Sequence, residues 1–185
     1  MDEEKIKKAV KDILEAVGEN PQREGLKDTP QSVANMYKEI LGGIDKNPAL
    51  ELKILKGQSF DEIVLVKDIP FYSLCEHHML PFHGKAHVAY MPEGNRIVGI
   101  SKIPRVVEVL SRRLQIQERF TSQIADAINE TIKPKGVMVI VEAEHLCVTM
   151  RGIKKSGSTV KTSVVRGVFR ENEKTRAETL ALIKD

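Results

Sequence analysis

Ile63-Val64-Leu65-Val66-Lys67-Asp68-Ile69-Pro70-Phe71-Tyr72-Ser73-Leu74-Cys75-Glu76-His77-His78 marks the place where the chain changes code. The β-branched run from Ile63 to Val66 continues to Phe71 as a strand pattern and leads directly into Cys75. The four residues Cys75 to His78 then concentrate a thiol, a carboxylate and two imidazoles. Lys85 to Met91 reads as a second strand, closed by the turn signal Pro92-Glu93-Gly94-Asn95, and Arg96 to Ile100 continues the pairing. Upstream of Glu62 the period is helical instead. Ile6, Ala9, Val10, Ile13, Leu14 and Val17 share one stripe, which Gly18 stops. Thr29-Pro30 reads as an N-cap with proline at the first helical position. Val33, Met36, Tyr37, Ile40 and Leu41 are that second helix's apolar face, and Gly42-Gly43 ends it. Residues 44–60 read as irregular, with Pro48 and Gly57 as breakers.

Downstream, Ile103, Val106, Val107, Leu110 and Leu114 give one helix, and Ile116, Phe120, Ile124, Ile128 and Ile132 another. Pro134 and Gly136 end the pair. Val137 to Met150 reads as one long strand and Thr162 to Phe169 as the last, with Asn172 capping a short C-terminal helix. Strands that flank a helical pair, behind a helical arm, indicate an α+β fold with a largely antiparallel sheet. The division expected is a helical arm over residues 1–56 and a catalytic domain over 57–185.

Composition narrows the classes. The 185 residues suffice for one domain with a sizeable core, and 41% hydrophobic with 30% charged residues describe an ordinary globular chain. No apolar run approaches the about 20 residues of a membrane span. The acidic start Met1-Asp2-Glu3-Glu4 lacks the apolar core of a signal peptide, which points to the cytoplasm. A net charge of +3 is too mild to argue for nucleic acid. The two cysteines suit thiolate ligands or free thiols better than a disulfide framework.

Those two cysteines stand in the two densest spots of the chain, Cys75-Glu76-His77-His78 and Glu144-His145-Leu146-Cys147. If Cys75 opens a helical turn, Cys75 and His78 fall on one side of it, within reach of one ion, and His77 points elsewhere. On a strand through residue 145, His145, Cys147, Thr149 and Arg151 share one face, and Leu146, Val148 and Met150 the other. Cys75, His78 and Cys147 then make a Cys₂His set with a fourth tetrahedral position open to water, the pattern of a catalytic zinc. The plain alternative is two buried cysteines acting as small hydrophobes. His77 and His145 are the natural acid and base, or one of them is a further ligand.

Gln117-Glu118 opens a helix whose opposite stripe is apolar, so both are expected to face away from the core. On spacing alone Glu118 is favourable dipole chemistry at a helix start. Ser101, Lys102 and Arg105 cluster at another helix start, where amide donors suit an anion, and Arg151 could join them on a phosphate. No Walker A loop or Gly-x-Gly-x-x-Gly occurs.

With these residues in place the chain resembles the zinc-dependent GTP cyclohydrolase I family. The resemblance runs through Gly25-Leu26-Lys27-Asp28-Thr29-Pro30, Ser73-Leu74-Cys75-Glu76-His77-His78 and Val98-Gly99-Ile100-Ser101-Lys102-Ile103. It continues through Gln115-Ile116-Gln117-Glu118-Arg119 and His145-Leu146-Cys147-Val148 to Arg151-Gly152. It implies the tunnelling fold, a four-stranded antiparallel sheet with paired helices, assembled as a toroidal homodecamer. It implies conversion of GTP and water to formate and 7,8-dihydroneopterin triphosphate, the entry to folate and pterin synthesis. It implies Zn2+ on Cys75, His78 and Cys147, and acid–base roles for His77 and His145. Gln117 and Glu118 would hold guanine, which reverses the dipole reading. Lys102, Arg105 and Arg151 would hold the triphosphate, with Ser101 near the ribose. One position departs: where many relatives carry a phosphate-binding arginine two residues after Thr-Pro, this chain has Ser32. The rival classes are a nitrile reductase of the same fold, which needs a nucleophilic cysteine and no zinc, and a zinc-stapled binding module.

Overall fold

Asp2 caps the first helix: its carboxylate accepts the Lys5 N–H at 3.1 Å, and α1 runs Glu3–Ala16 until Gly18 turns at φ +88°. The second helix, α2 (Thr29–Ile40), opens one residue earlier than the Thr29-Pro30 signal suggests, with Asp28 at the cap position. The two helices are tied by Lys38 Nζ to Glu3 at 2.6 Å. Together they belong to the first of two compact units, Met1–Gly42; the second is Gly43–Asp185. The computed structural model describes residues 1–55, 60–94 and 96–184. The expected boundary between residues 56 and 57 lies outside them, as do the Gly57 breaker and Asn95 of the turn signal.

The second unit opens with a 3₁₀ turn, Pro48–Glu51, and a two-residue strand β1 (Ile54–Leu55). There follow β2 (Val64–Cys75), β3 (Pro81–Met91), β4 (Ile97–Val98), α3 (Lys102–Ser111), β5 (Leu114–Gln115), α4 (Gln117–Ile132) and β6 (Gly136–His145). A helical turn α5 (Leu146–Thr149), strand β7 (Thr159–Gly167), α6 (Val168–Glu171) and α7 (Glu173–Lys184) complete it. Asn172 caps α7 as expected, its Oδ1 accepting the Lys174 N–H at 2.9 Å and the Thr175 N–H at 3.2 Å. The main sheet has the order β5-β2-β3-β6-β7. Its four long strands are antiparallel, and the helical pair α3 and α4 lies between the second and third of them in sequence, the expected α+β architecture. Among the described residues no helix is long and apolar enough to cross a membrane.

A bulge in β2 decides which side of the sheet receives Cys75. Val66 pairs with Val88 and Ile69 with Ala86, so β2 carries one residue more than β3 across this step. Asp68 absorbs the excess at φ +56°. Before the bulge Val64 and Val66 face the helices; after it Ile69, Phe71 and Cys75 do. Even positions have given way to odd ones, because strand side chains alternate and one extra residue flips every later one. On that face Phe71 packs on Phe120 of α4 at 4.8 Å between ring centres and on Phe82 at 5.8 Å. Val106, Val107 and Leu110 of α3 and Ile124, Ile128 and Ile132 of α4 close the core over Val137, Val139 and Val141 of β6. The opposite face holds a smaller cluster of Ala89, Met138 and Phe169. Gly84 lets β3 come close to β6: a Cβ there would stand 1.9 Å from the Glu142 carbonyl oxygen.

Three expected strands end differently: the last, expected to reach Phe169, stops at Gly167, where α6 begins. Arg96 to Ile100 does not extend the pairing with β3. Instead β4 pairs with β1, Val98 opposite Ile54, and the Val98 N–H is taken by the Tyr90 hydroxyl at 3.1 Å. The strand expected from Val137 to Met150 stops at His145, opposite Phe82. The next residue of β3 is Pro81, which has no N–H to offer Leu146, so the ladder ends and the chain coils into α5.

Candidate active site

Cys75 ends β2 and begins a tight reversal. Its N–H donates to the Leu80 carbonyl at 2.8 Å, and the Met79 N–H donates back to the Cys75 carbonyl at 2.8 Å, with Met79 at φ +54°. That closed turn puts Cys75 and His78 on one side, as their spacing suggests. Cys147 arrives from α5 rather than from a strand face, so the period-two alignment of His145, Cys147, Thr149 and Arg151 does not occur. The three residues meet all the same: one ligand atom each from Cys75, His78 and Cys147 lie within 4.8 Å of one another. Cys75 is buried, Cys147 half-buried and His78 exposed, so the cluster opens to solvent on the imidazole side.

The surroundings are charged on one flank and apolar on the other. Burial first, and then the neighbouring Cys75, push the Cys147 thiol up, while Arg151 draws it down. Arg151 Nη1 stands 3.4 Å from His78 Nε2. His77 does not turn away from the cluster: its Nδ1 lies 3.9 Å from Cys75 Sγ. Glu76 N–H donates to the Gln115 carbonyl at 3.0 Å, and the Glu76 carboxylate accepts from Arg119, which also reaches Gln115 Oε1 at 3.1 Å and the Leu114 carbonyl at 3.1 Å. Arg119 so holds Glu76 well below the usual carboxylate range. This clamp between the reversal and the start of α4 has no signal in the sequence pattern, although Glu76 and Arg119 lie inside two of the stretches that carry the resemblance.

His145 sits at the end of β6 with its ring stacked on Phe82, centres 4.6 Å apart and planes 4° from parallel. Burial pushes its imidazole below the ordinary value, with the Glu118 carboxylate pulling back upward. Gln117 and Glu118 part company. Glu118 is exposed at the first turn of α4, as expected. Gln117 is 2% exposed and faces the sheet, a correction to the expectation that both turn outward. The residue at a helix start can meet the sheet below it when the helix lies on that sheet, as α4 lies on β6 and β7. Ser101 and Lys102 stand at the N-terminus of α3, and Arg105 one turn on pairs with Glu51 at 3.8 Å. Among the described residues no hydrogen bond or ion pair connects these three to the cysteine cluster.

The model of the GTP cyclohydrolase I family matches residues 6–184, nearly the whole chain. The chain belongs to that family. It is 58% identical over 183 residues to GTP cyclohydrolase 1 of Caldanaerobacter subterraneus subsp. tengcongensis, covering 99% of this chain and 97% of the relative. To GTP cyclohydrolase 1 of Halalkalibacterium halodurans it is 55% identical over 184 residues, covering 100% and 98%. A solved apo archaeosine synthase QueF-like protein aligns with 59% of this chain and 97% of its own, at 16% identity and a TM-score of 0.45. In this member of the GTP cyclohydrolase I family, His77 and Arg151 stand beside the cysteine–histidine cluster, and Glu118 stands near His145.

Proposed function

We propose that this chain hydrolyses the imidazole ring of GTP and rearranges the product to 7,8-dihydroneopterin triphosphate with release of formate, the first step of folate and pterin synthesis. The observation that carries the reading is the convergence of Cys75, His78 and Cys147, with the His77 imidazole 3.9 Å from Cys75 Sγ. The donor set fits zinc. A tetrahedral ion with thiolate and imidazole bonds of about 2.0–2.3 Å separates its ligand atoms by about 3.3–3.8 Å, so a closing shift of about 1 Å would let these three residues hold it. Two crowded thiols, one of them pushed up by burial and by its neighbour, are a pair that a cation would relieve.

Zinc held by Cys75, His78 and Cys147 supplies Lewis-acid activation of water at neutral pH. The protein's own groups do the rest. His145 and His77 move protons as the five-membered ring opens at C8. Glu118 accepts the paired N–H groups at N1 and the 2-amino group of guanine and so turns C8 toward the cluster. Lys102, Arg105 and Arg151 neutralise the triphosphate, with Ser101 beside the ribose. No P–O bond breaks, so the phosphates serve binding only. With Ser32 in place of an arginine, the remaining cations carry the triphosphate. The working assembly is a homodecamer. Incubation with GTP should yield equimolar formate and, after oxidation, a fluorescent pterin; GTP recovered intact from zinc-loaded enzyme would refute the reading.

A further inference from the structure

Gln117 has no side-chain N–H left to donate to a substrate. Its Nε2 lies 3.0 Å from the Val141 carbonyl, 2.9 Å from the Val160 carbonyl and 3.2 Å from Thr162 Oγ1. Two of these partners are backbone carbonyls, which can only accept. The amide therefore cannot be turned over, because Oε1 would then face two carbonyl oxygens. The hydroxyls around it are oriented in sequence. Thr121 donates to the Gln117 carbonyl at 2.7 Å, so Thr162 donates to Thr121 at 2.6 Å and keeps a lone pair for the Gln117 amide. With both amide protons committed, Oε1 is an acceptor, and its neighbour at 2.8 Å is His145 Nε2. That nitrogen must carry a proton. The ring cannot rotate out of the arrangement readily, since it lies flat on fully buried Phe82.

We infer that Gln117 is a positioning residue for the reaction: it holds His145 as the Nε2–H tautomer and leaves Nδ1 as the ring's one lone pair. Nδ1 makes no hydrogen bond among the described residues. A proton taken up at Nδ1 from water, and later given to the departing nitrogen, leaves the Nε2–H bond to Gln117 in place throughout. The amide oxygen then also stabilises the imidazolium that forms between the two transfers, at a ring position remote from the transfer itself. This role for His145 rests on the reading proposed above, whereas the tautomer itself does not. It replaces the guanine contact that the family resemblance implies for the Gln117 side chain, and leaves the base to Glu118.

The test is a solid-state 15N spectrum of the zinc-loaded enzyme carrying ring-labelled histidine, recorded above neutral pH. The His145 signals are identified by their loss in His145→Gln. The expected pattern is a protonated Nε2 and a bare Nδ1. A protonated Nδ1, or a pair of averaged signals, would overturn the inference. As a second arm, Gln117→Met should lower kcat by at least about tenfold, part of what a positioned general base contributes, and change KM less than about threefold. A raised KM with unchanged kcat would show Gln117 holding the substrate instead and would also overturn it. Should the variant not fold, the parent spectrum decides alone. A parent enzyme that shows the expected tautomer but leaves GTP intact would sink the proposed reaction and keep the positioning bond.

Discussion

His87 Nδ1 accepts the backbone N–H of Asp68 at 3.2 Å, across the bulge that sets the facing of Cys75. The bond exists only while Nδ1 is unprotonated. His87 is 8% exposed, and burial pushes its imidazole below the ordinary value, with Asp68 opposing and Lys85 assisting. A folded value below the unfolded one means that the unfolded chain takes the proton first. The stability involved is complete above about pH 6.5 and is lost as pH falls from there toward the folded value. The denaturation midpoint should therefore decline more steeply between about pH 7 and pH 5 for the parent than for His87→Gln. Parallel curves for the two would remove His87 from the account.

The three proposed zinc ligands should behave alike. Cys75→Ser, His78→Ala and Cys147→Ser should each lose bound zinc and turnover together, by more than the ten- to hundredfold typical of outer partners. Glu76→Gln, which weakens the Arg119 clamp but leaves the ligands, should cost at most about tenfold in zinc affinity. Metal analysis after dialysis against a chelator measures all four. A ligand variant with stoichiometric zinc and parental turnover would strike that residue from the set.

Glu118 is exposed at the first turn of α4, close enough to His145 for its charge to be felt there. A carboxylate accepts two parallel N–H bonds from guanine, and adenine offers no such edge. Leaving that acceptor unpaired in a closed site costs about 1–3 kcal/mol or more. Glu118→Ala should reduce GTP turnover by at least about tenfold with zinc content unchanged, and ATP should not react with the parent. Normal GTP kinetics in the variant would return Glu118 to the role of a helix-dipole residue.

The sheet has open edges. Among the described residues β2 pairs on one side only at Leu74 and Cys75, with β5, and on the other side β7 pairs with β6 alone. Long unpaired edges invite strands of another copy. Light scattering should give a mass many times the 20.7 kDa of one chain, ten copies being expected. A fully active monomer would refute the assembly.

Much of this was legible in the chain itself, for reasons that are local. The stripes of α1 and α4, the strand pattern into Cys75, and the Asn172 cap depend on residues a few positions apart, and the structure has them where periodicity puts them. The pairing of Cys75 with His78 was equally local, since a single closed turn suffices to bring them together. That Cys147 should join them followed from ligand chemistry and not from the strand face drawn for it. The strand expected to run to Met150 ends at His145 because the next position, Leu146, would face Pro81, 65 positions earlier in the chain.

What the tertiary structure alone decided are relationships that no period encodes. Only pairing with β3 reveals the extra residue at Asp68, and that residue flips Cys75 onto the helix side. Only the seating of α4 on β6 and β7 turns Gln117 inward, where two carbonyls from different strands fix its amide and, through it, one ring nitrogen of His145. A sequence specifies which groups can hydrogen-bond and at what local spacing they recur. Which donor meets which acceptor is settled when distant strands are brought into register and every buried polar group must find a partner.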